Sequence, residues 1–521
     1  MNLLRRFPFK PLALAALPLL AASAPALAKE PLFESFSLPV RGIVRNYLAA
    51  DFNGDSLRDI VVSHIVIDEA QRRVDRYFSL FLQDAQGFPN QPTQTWEAPS
   101  DAVGVDAADF DLSTPGPELG YISGAGVFCY KFDVDRFIPA PVRLLTASSL
   151  FRSADPYGVI RMNFAQDLNG DGQDEILVAD FDQTYLYTAS KQGPQPHWDL
   201  SRIFPTPLRA RVSTPWENDI LLARIEQNSS FIETSLPQVL VGDLDGDGRR
   251  DAFIPQGDRA FIYRQLPGGL FSDAPTIVDF GVFPLARFMR HGSIPEVTRL
   301  KLGDFNADGL SDVAISRLRV EDLSEPSIKS TFYIYLNKGG TFPDRPSEEI
   351  NLDGIVEEPL IADFDGDGRD DIAVQRLPFG FWQVVRIKVF GSVDLLYEIY
   401  YSSASGTHSR KPDVTRSANF AFDLKHQSLS LLAGFSLYSD FDGDGRLDLL
   451  QSADKGSYAV LLSRDGEWAS GRMTVEAPSS FLTFTEDLNG DQKDDVVIRY
   501  AGQGEMDSTL RVLLTPGAEK K

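Results

Sequence analysis

Seven short stretches of this chain carry the residue types that chemistry would use. In each, oxygen-bearing side chains stand at positions 1, 3, 5 and 9 of a nine-residue segment. They are Asp51, Asn53, Asp55 and Asp59; Asp167, Asn169, Asp171 and Glu175; Asp243, Asp245, Asp247 and Asp251; Asp304, Asn306, Asp308 and Asp312. Three more follow at Asp363, Asp365, Asp367 and Asp371; Asp440, Asp442, Asp444 and Asp448; and Asp487, Asn489, Asp491 and Asp495. An all-oxygen set of this kind suits Ca²⁺, a hard cation that takes about six to eight oxygen ligands. Glycine between the acids lets so short a loop turn side chains and carbonyls inward, and the backbone C=O at position 7, as at Arg249, would add an oxygen. Metal-free acidic turns are common, but they give no reason for an acid at position 9 in every copy. The spacing therefore predicts about seven structural Ca²⁺ sites. A degenerate copy runs from Asp109 through Asp111 to Glu118, with its acid out of register.

The flanks show what positions these loops. An EF-hand would close with Glu at position 12 between two helices. Here position 12 is Val62, Val178, Ile254, Ile315, Val374, Gln451 or Ile498, and the runs into it, such as Ile60-Val61-Val62, read as strands. Position 2 is always Phe or Leu, which predicts that the loop joins two β-strands and is anchored to a core there. Loop starts at 51, 109, 167, 243, 304, 363, 440 and 487 recur every ~60 residues, a period that suits propeller blades of short strands. A glycine turn and an aromatic, as in Gly340-Thr341-Phe342, punctuate the later part of several repeats.

The expected fold is an all-β propeller of eight blades, or seven if the Asp109 repeat is not a blade. After the last loop the chain has room for two further strands but no fourth, while residues 32–40 have no blade of their own. The N-terminal strand is therefore expected to complete the last blade and close the ring. Insertions are expected near 205–235 and 403–427.

The repeated Asp-x-[Asp/Asn]-x-Asp-x-x-x-Asp loop, its following apolar strand and the turn Leu336-Asn337-Lys338-Gly339-Gly340-Thr341-Phe342 resemble FG-GAP/VCBS-type repeats. These are the calcium-loop propeller repeats also seen in the head of integrin α subunits. The resemblance covers essentially all of the chain after residue 28, and it implies one Ca²⁺ in each loop between a blade's first two strands. The Asp109 copy departs from the pattern, which puts metal there in doubt. The family includes adhesion modules, sugar-binding lectins and a few polysaccharide lyases, so it implies a scaffold rather than one activity.

Composition bounds the partners. The 521 residues carry a net charge of −24, much of it within the loops themselves. No basic stripe is present to neutralise phosphates, which argues against nucleic acid. Arg5, Arg6 and Lys10, the apolar run Leu12 to Leu20 and the Ala26-Leu27-Ala28 site read as a signal peptide over 1–28, leaving one propeller domain over 29–521. No later stretch is long and apolar enough for a transmembrane helix. Export to the periplasm, outside or cell surface of a bacterium is expected, and a monomer. Cys129, the single cysteine, reads as a small buried apolar residue.

Function is narrowed less. The histidines His64, His197, His291, His408 and His426 show no zinc spacing, and no nucleophile elbow, P-loop or dinucleotide fingerprint appears. A binding or adhesion module for a glycan or protein partner is the favoured reading. The alternative is a calcium-dependent polysaccharide lyase using His408, Arg410 and Lys411. Trp198 and Trp216, which bracket the first insertion, could stack on a sugar, with packing inside the fold as their plainer use.

Overall fold

The computed structural model describes residues 33–516 apart from 115, 152–153, 191–196, 206–207, 214–228, 235–237, 257–258, 281–296, 323–326, 357–358, 379–391, 422–435, 455, 465–466, 479 and 481. The proposed signal peptide lies outside the described residues, as do His291, His426, Trp216 and Trp382.

Eight sheets of four or five strands follow one another along the chain and form an eight-bladed β-propeller. Blade 1 is Ile43–Ala50, Asp59–Asp68, Arg73–Phe81 and Gln94–Glu97, paired antiparallel in that order, and blades 3 to 8 repeat the plan from first strands that begin at Ala165, Leu240, Val297, Ile355, Ser436 and Leu482. The Asp109 repeat is a blade: Gly104–Ala108, Glu118–Ser123, Gly126–Tyr130 and Val142–Leu145, with Ile160–Arg161 added in parallel beside the first strand. Of the two stretches read as insertions, the first contains a hairpin of Leu208–Ser213 with Ser229–Thr234. Within the second, Val414–Ala421 is the fourth strand of blade 6.

The ring closes as the chain ends suggest. Glu34–Pro39 pairs antiparallel with Thr509–Leu514 and supplies the outer strand of blade 8. Leu38 is fully buried there, and the Val40 N–H donates to the Ser508 carbonyl over 2.8 Å. Blade 8 is thus made from both ends of the chain, and neither edge of its third strand is left open.

Eight apolar clusters fill the eight blade interfaces. This geometry explains why the second strands read as unbroken apolar runs. In blade 8, Val496 and Ile498 pack toward blade 7 while Val497 packs toward blade 1. A strand sandwiched between two blades has no solvent face, so its period-2 alternation sorts residues between two cores rather than between core and water. The position-2 residues obey one rule around the whole ring. Phe52, Phe110, Leu168, Leu244, Phe305, Phe364, Phe441 and Leu488 each enter the interface with the following blade. Each such burial contributes about 1.5–3 kcal/mol, and it fastens the loop to the neighbour.

Removing residues up to Pro39 is expected to leave the Thr509–Leu514 edge unpaired and open the interface of blades 8 and 1. Thermal unfolding and size-exclusion chromatography should show a lower Tm and self-association. A truncated protein that melts like the full chain would mean that the N-terminal strand does not hold the ring.

Candidate metal centres

Each loop between first and second strands is folded by its own acids. The position-1 carboxylate caps backbone N–H groups within the turn. Asp51 Oδ1 accepts from Gly54 at 2.7 Å and Asp55 at 3.0 Å, and its Oδ2 accepts from Ser56 at 2.8 Å. Asp363 repeats this with Gly366, Asp367 and Gly368. Positions 4 and 6 hold a left-handed backbone in all seven loops. In blade 4 they are Gly246 and Gly248, with φ of 83° and 79°, while Ala307, Ser56 and Gln492 take the same conformation without glycine. The position-3 oxygen then accepts from the position-5 N–H, and the position-5 carboxylate from the position-7 N–H, as at Asp365, Asp367 and Arg369. These short links fold each loop tightly around its own acids.

The position-9 acid is different. Asp59, Glu175, Asp251, Asp312, Asp371, Asp448 and Asp495 are all buried. In every loop one of its oxygens accepts the backbone N–H of position 2, from 2.8 Å at Leu488 to 3.3 Å at Leu244. In six blades the other oxygen accepts an N–H at the end of the third strand or just past it: Gln83, Gln265, Asn337, Ser402, Ser463 or Thr515. The carboxylate thus ties the loop to the far hairpin of its own blade. Its recurrence has a structural cause beside any metal, which the spacing of the sequence did not reveal.

Three loops bring the carboxylate oxygens of positions 1, 3 and 9 together. One oxygen each from Asp243, Asp245 and Asp251 lie within 4.8 Å of one another, as do those of Asp363, Asp365 and Asp371 and of Asp440, Asp442 and Asp448. These are the loops with Asp at position 3. The other four have Asn there. The amide N–H groups of Asn53 and Asn306 donate to the position-5 carboxylate at 3.0 and 2.9 Å, and that of Asn489 to the Thr515 carbonyl at 2.8 Å. The position-5 acid is drawn elsewhere in blades 4 and 6, where Asp247 pairs with Arg249 and Asp367 with Arg369. The gathered oxygens could hold a metal ion. Hard carboxylate oxygens with nearby carbonyls and no nitrogen or sulfur donor fit Ca²⁺ rather than a soft metal.

The loops also grip one another. The position-8 N–H donates to the position-1 carbonyl of the preceding blade from Asp174, Ser311, Asp370 and Asp494, and from Arg58 to the Leu488 carbonyl. Where position 8 is Asp, its carboxylate accepts the position-1 N–H in return: Asp109 to Asp174 at 2.6 Å, Asp304 to Asp370 at 2.7 Å and Asp440 to Asp494 at 3.1 Å. These acids were not singled out from the sequence, although the paired acids at positions 8 and 9 (Asp174-Glu175, Asp370-Asp371, Asp494-Asp495) are a legible signal.

The residues read as possible catalytic or stacking groups are placed elsewhere. His408 is sealed inside, its Nδ1 2.9 Å from Glu348 Oε2 and its ring edge-on to Phe305. His64 is a core histidine between the Arg41 carbonyl and the Ser79 hydroxyl, and burial lowers its pKa to about 4. His197 is exposed beside Asp199. Trp198 is buried between blades 2 and 3 against Phe110, the plainer of the two uses. Burial pushes the Cys129 thiol up to about 12, which keeps it protonated.

Three comparisons bear on the chain. The sequence description of the FG-GAP-like repeat matches residues 304–374, from the blade-5 loop to the second strand of blade 6. No curated protein matches it. Among solved structures, one of a lectin from Agrocybe aegerita, described as recognising non-reducing terminal N-acetylglucosamine, is similar at 16% identity and a TM-score of 0.42. That likeness covers 84% of this chain and 95% of that one.

Two outcomes are expected. Asp365→Ala should reduce calcium bound, by elemental analysis, by one ion per chain and lower the Tm measured in calcium. A site filled at 100 times its Kd adds about 2.7 kcal/mol. An unchanged count would remove that loop from the metal sites. In metal-free protein, burial pushes Asp59, Asp312, Asp448 and Asp495 up to about 7 and Glu175 to about 8, against the N–H groups that favour the charged forms. The folded state then binds these protons more tightly than the unfolded chain, whose acids titrate near 4. Metal-free protein should therefore gain stability as pH falls from about 8 to about 5, a trend that calcium opposes by favouring the ionised forms. Melting curves of stripped protein across that range would refute this by falling steadily with acid.

Proposed function

We propose that this chain, an FG-GAP β-propeller, is an exported, calcium-stabilised binding module whose ligand is a glycan. One observation carries the ligand reading, a pocket of about 620 Å³ on blade 2 lined by Asp101, Gly124, Ala125, Arg143, Thr146 and Ser148 among others. Gly124 and Ala125 form the turn between second and third strands, and Asp101 and Thr146 to Ser148 flank the sheet's first and fourth strands. Antiparallel order puts those segments at the end of the blade opposite the acidic loops. The pocket offers a carboxylate, a guanidinium and two hydroxyls, the mixed donors and acceptors a sugar's hydroxyl groups would meet.

Arg143 is held ready for such contact. Its guanidinium carbon lies 5.2 Å from the centre of the Phe128 ring, which stacks at 4.9 Å on Tyr121. The lyase reading lacks this support, because the fully buried His408 side chain is committed to Glu348. Among the described residues no helix is long and apolar enough to cross a membrane. Export rests on the N-terminal sequence, with its basic, apolar and small-residue segments.

The test is retention on a panel of immobilised glycans, with new unsaturated ends followed by ultraviolet absorbance. Wild-type protein should bind without cleaving, and Arg143→Ala should weaken binding about tenfold, or roughly 1.4 kcal/mol. Retention insensitive to Arg143→Ala and Asp101→Asn would remove this pocket from the reading. Cleavage would make the protein an enzyme, and no retention would leave a protein partner as the ligand.

A further inference from the structure

The blade-2 loop does not fit the metal that the other loops suit. It lacks an acid at position 5, where Ser113 instead donates its hydroxyl to Asp111 Oδ1 at 2.6 Å. Its ninth-position duty has moved to Glu118, which is buried and accepts the Phe110 N–H at 3.0 Å as position-9 acids do elsewhere. We infer that the Lys131 ammonium is the built-in cation of blade 2, standing where its sister loops gather oxygens for an ion. Lys131 Nζ lies 2.8 Å from Asp111 Oδ2 and 3.1 Å from Glu118 Oε1, so it joins the position-3 acid to the position-9 equivalent. Thr114 Oγ1 donates to the same Glu118 oxygen at 2.6 Å.

Strand register shows that the lysine is placed rather than incidental. The residue after the loop's last acid pairs with the end of the third strand: Leu119 with Tyr130, Ala252 with Tyr263, Val313 with Tyr335, Ile372 with Tyr400. The next residue along is Lys131 in blade 2, Arg264 in blade 4, Leu336 in blade 5 and Tyr401 in blade 6. A basic group at this one register position therefore reaches back into its own loop. Arg264 does so too, with Nη1 2.5 Å from Asp251 Oδ2 and 3.6 Å from Asp245 Oδ2, but in a loop that keeps all four acids. In blade 2 the ammonium is half-buried and hydrogen-bonded to both carboxylates, and a divalent ion entering there would meet a fixed positive charge at contact distance. The consequence is a ring whose second-blade loop is bridged by the chain's own cation and stays clamped when calcium is withdrawn.

The test compares Asp111→Asn and Lys131→Met with wild type, in saturating calcium and in chelator, by elemental analysis and thermal unfolding. Both variants should retain the wild-type calcium count and lose the same few degrees of Tm in either condition, and Lys131→Arg should recover most of the loss. Loss of one calcium ion in Asp111→Asn, or a Tm loss confined to calcium buffer, would overturn the inference. If Lys131→Met fails to fold, the Asp111→Asn comparison decides alone, since it removes a charge without emptying the site. The outcome is independent of whether the blade-2 pocket binds a glycan.

Discussion

A carboxylate buried beneath a solvent-exposed turn must find donors or be driven to the neutral acid, and the architecture of this ring follows from how that demand is met. In six blades the position-9 aspartate takes one N–H from the start of the loop and one from the end of the third strand or just past it. The same two bonds fix the loop's entry, the length of the hairpin and the direction in which position 2 enters the next interface. Desolvation still dominates, which is why these acids lean toward protonation without a cation. A cation among the position-1 and position-3 oxygens would offset that penalty at its source.

In blades 1, 3, 5, 6 and 8, where position 2 packs forward and position 8 bonds backward, the loop is attached to both of its neighbours. Phe305 packs into the interface with blade 6, while the Asp370 N–H and carboxylate of blade 6 hold the Asp304 backbone of blade 5. Blade 1 reaches back to blade 8 in the same manner through Arg58, whose guanidinium lies 3.1 Å from Glu486. Cooperativity then runs around the circle through the eight apolar interfaces and, at those five junctions, through the loops as well, while the strand of residues 34–39 completes blade 8.

Much of this could be read from the amino-acid order. A ~60-residue period, a Phe or Leu always at position 2 and a spare strand-like segment at residues 32–40 imply a closed ring of eight blades, or seven if the Asp109 repeat is not one. What stayed hidden depends on contacts between repeats that no local pattern encodes. Asp370 looks like a further loop acid until the preceding blade's backbone is set against it. Trp198 borders an irregular segment in sequence yet faces Phe110 across an interface. His408 lies in a polar stretch, and only the turn back toward blade 5 shows that Glu348 receives both its backbone N–H and its ring. Lys131 carries no signal of its own, since its meaning rests on a ladder register set by Leu119 and Tyr130.

The division of labour between the two ends of the blades follows from the same constraint. First-to-second-strand loops cannot vary freely, because their acids, their left-handed positions and their neighbours' backbones are mutually committed. The turns at the opposite end share no repeated acid pattern, and they differ widely, from Gly124-Ala125 in blade 2 to the 3-10 segment Gly504–Ser508 in blade 8. Sequence variation that leaves the loop pattern intact is therefore easier to accommodate at that end. The ligand site proposed there would draw on rigid strands for precision, with Arg143 held over the Phe128 ring, itself stacked on Tyr121.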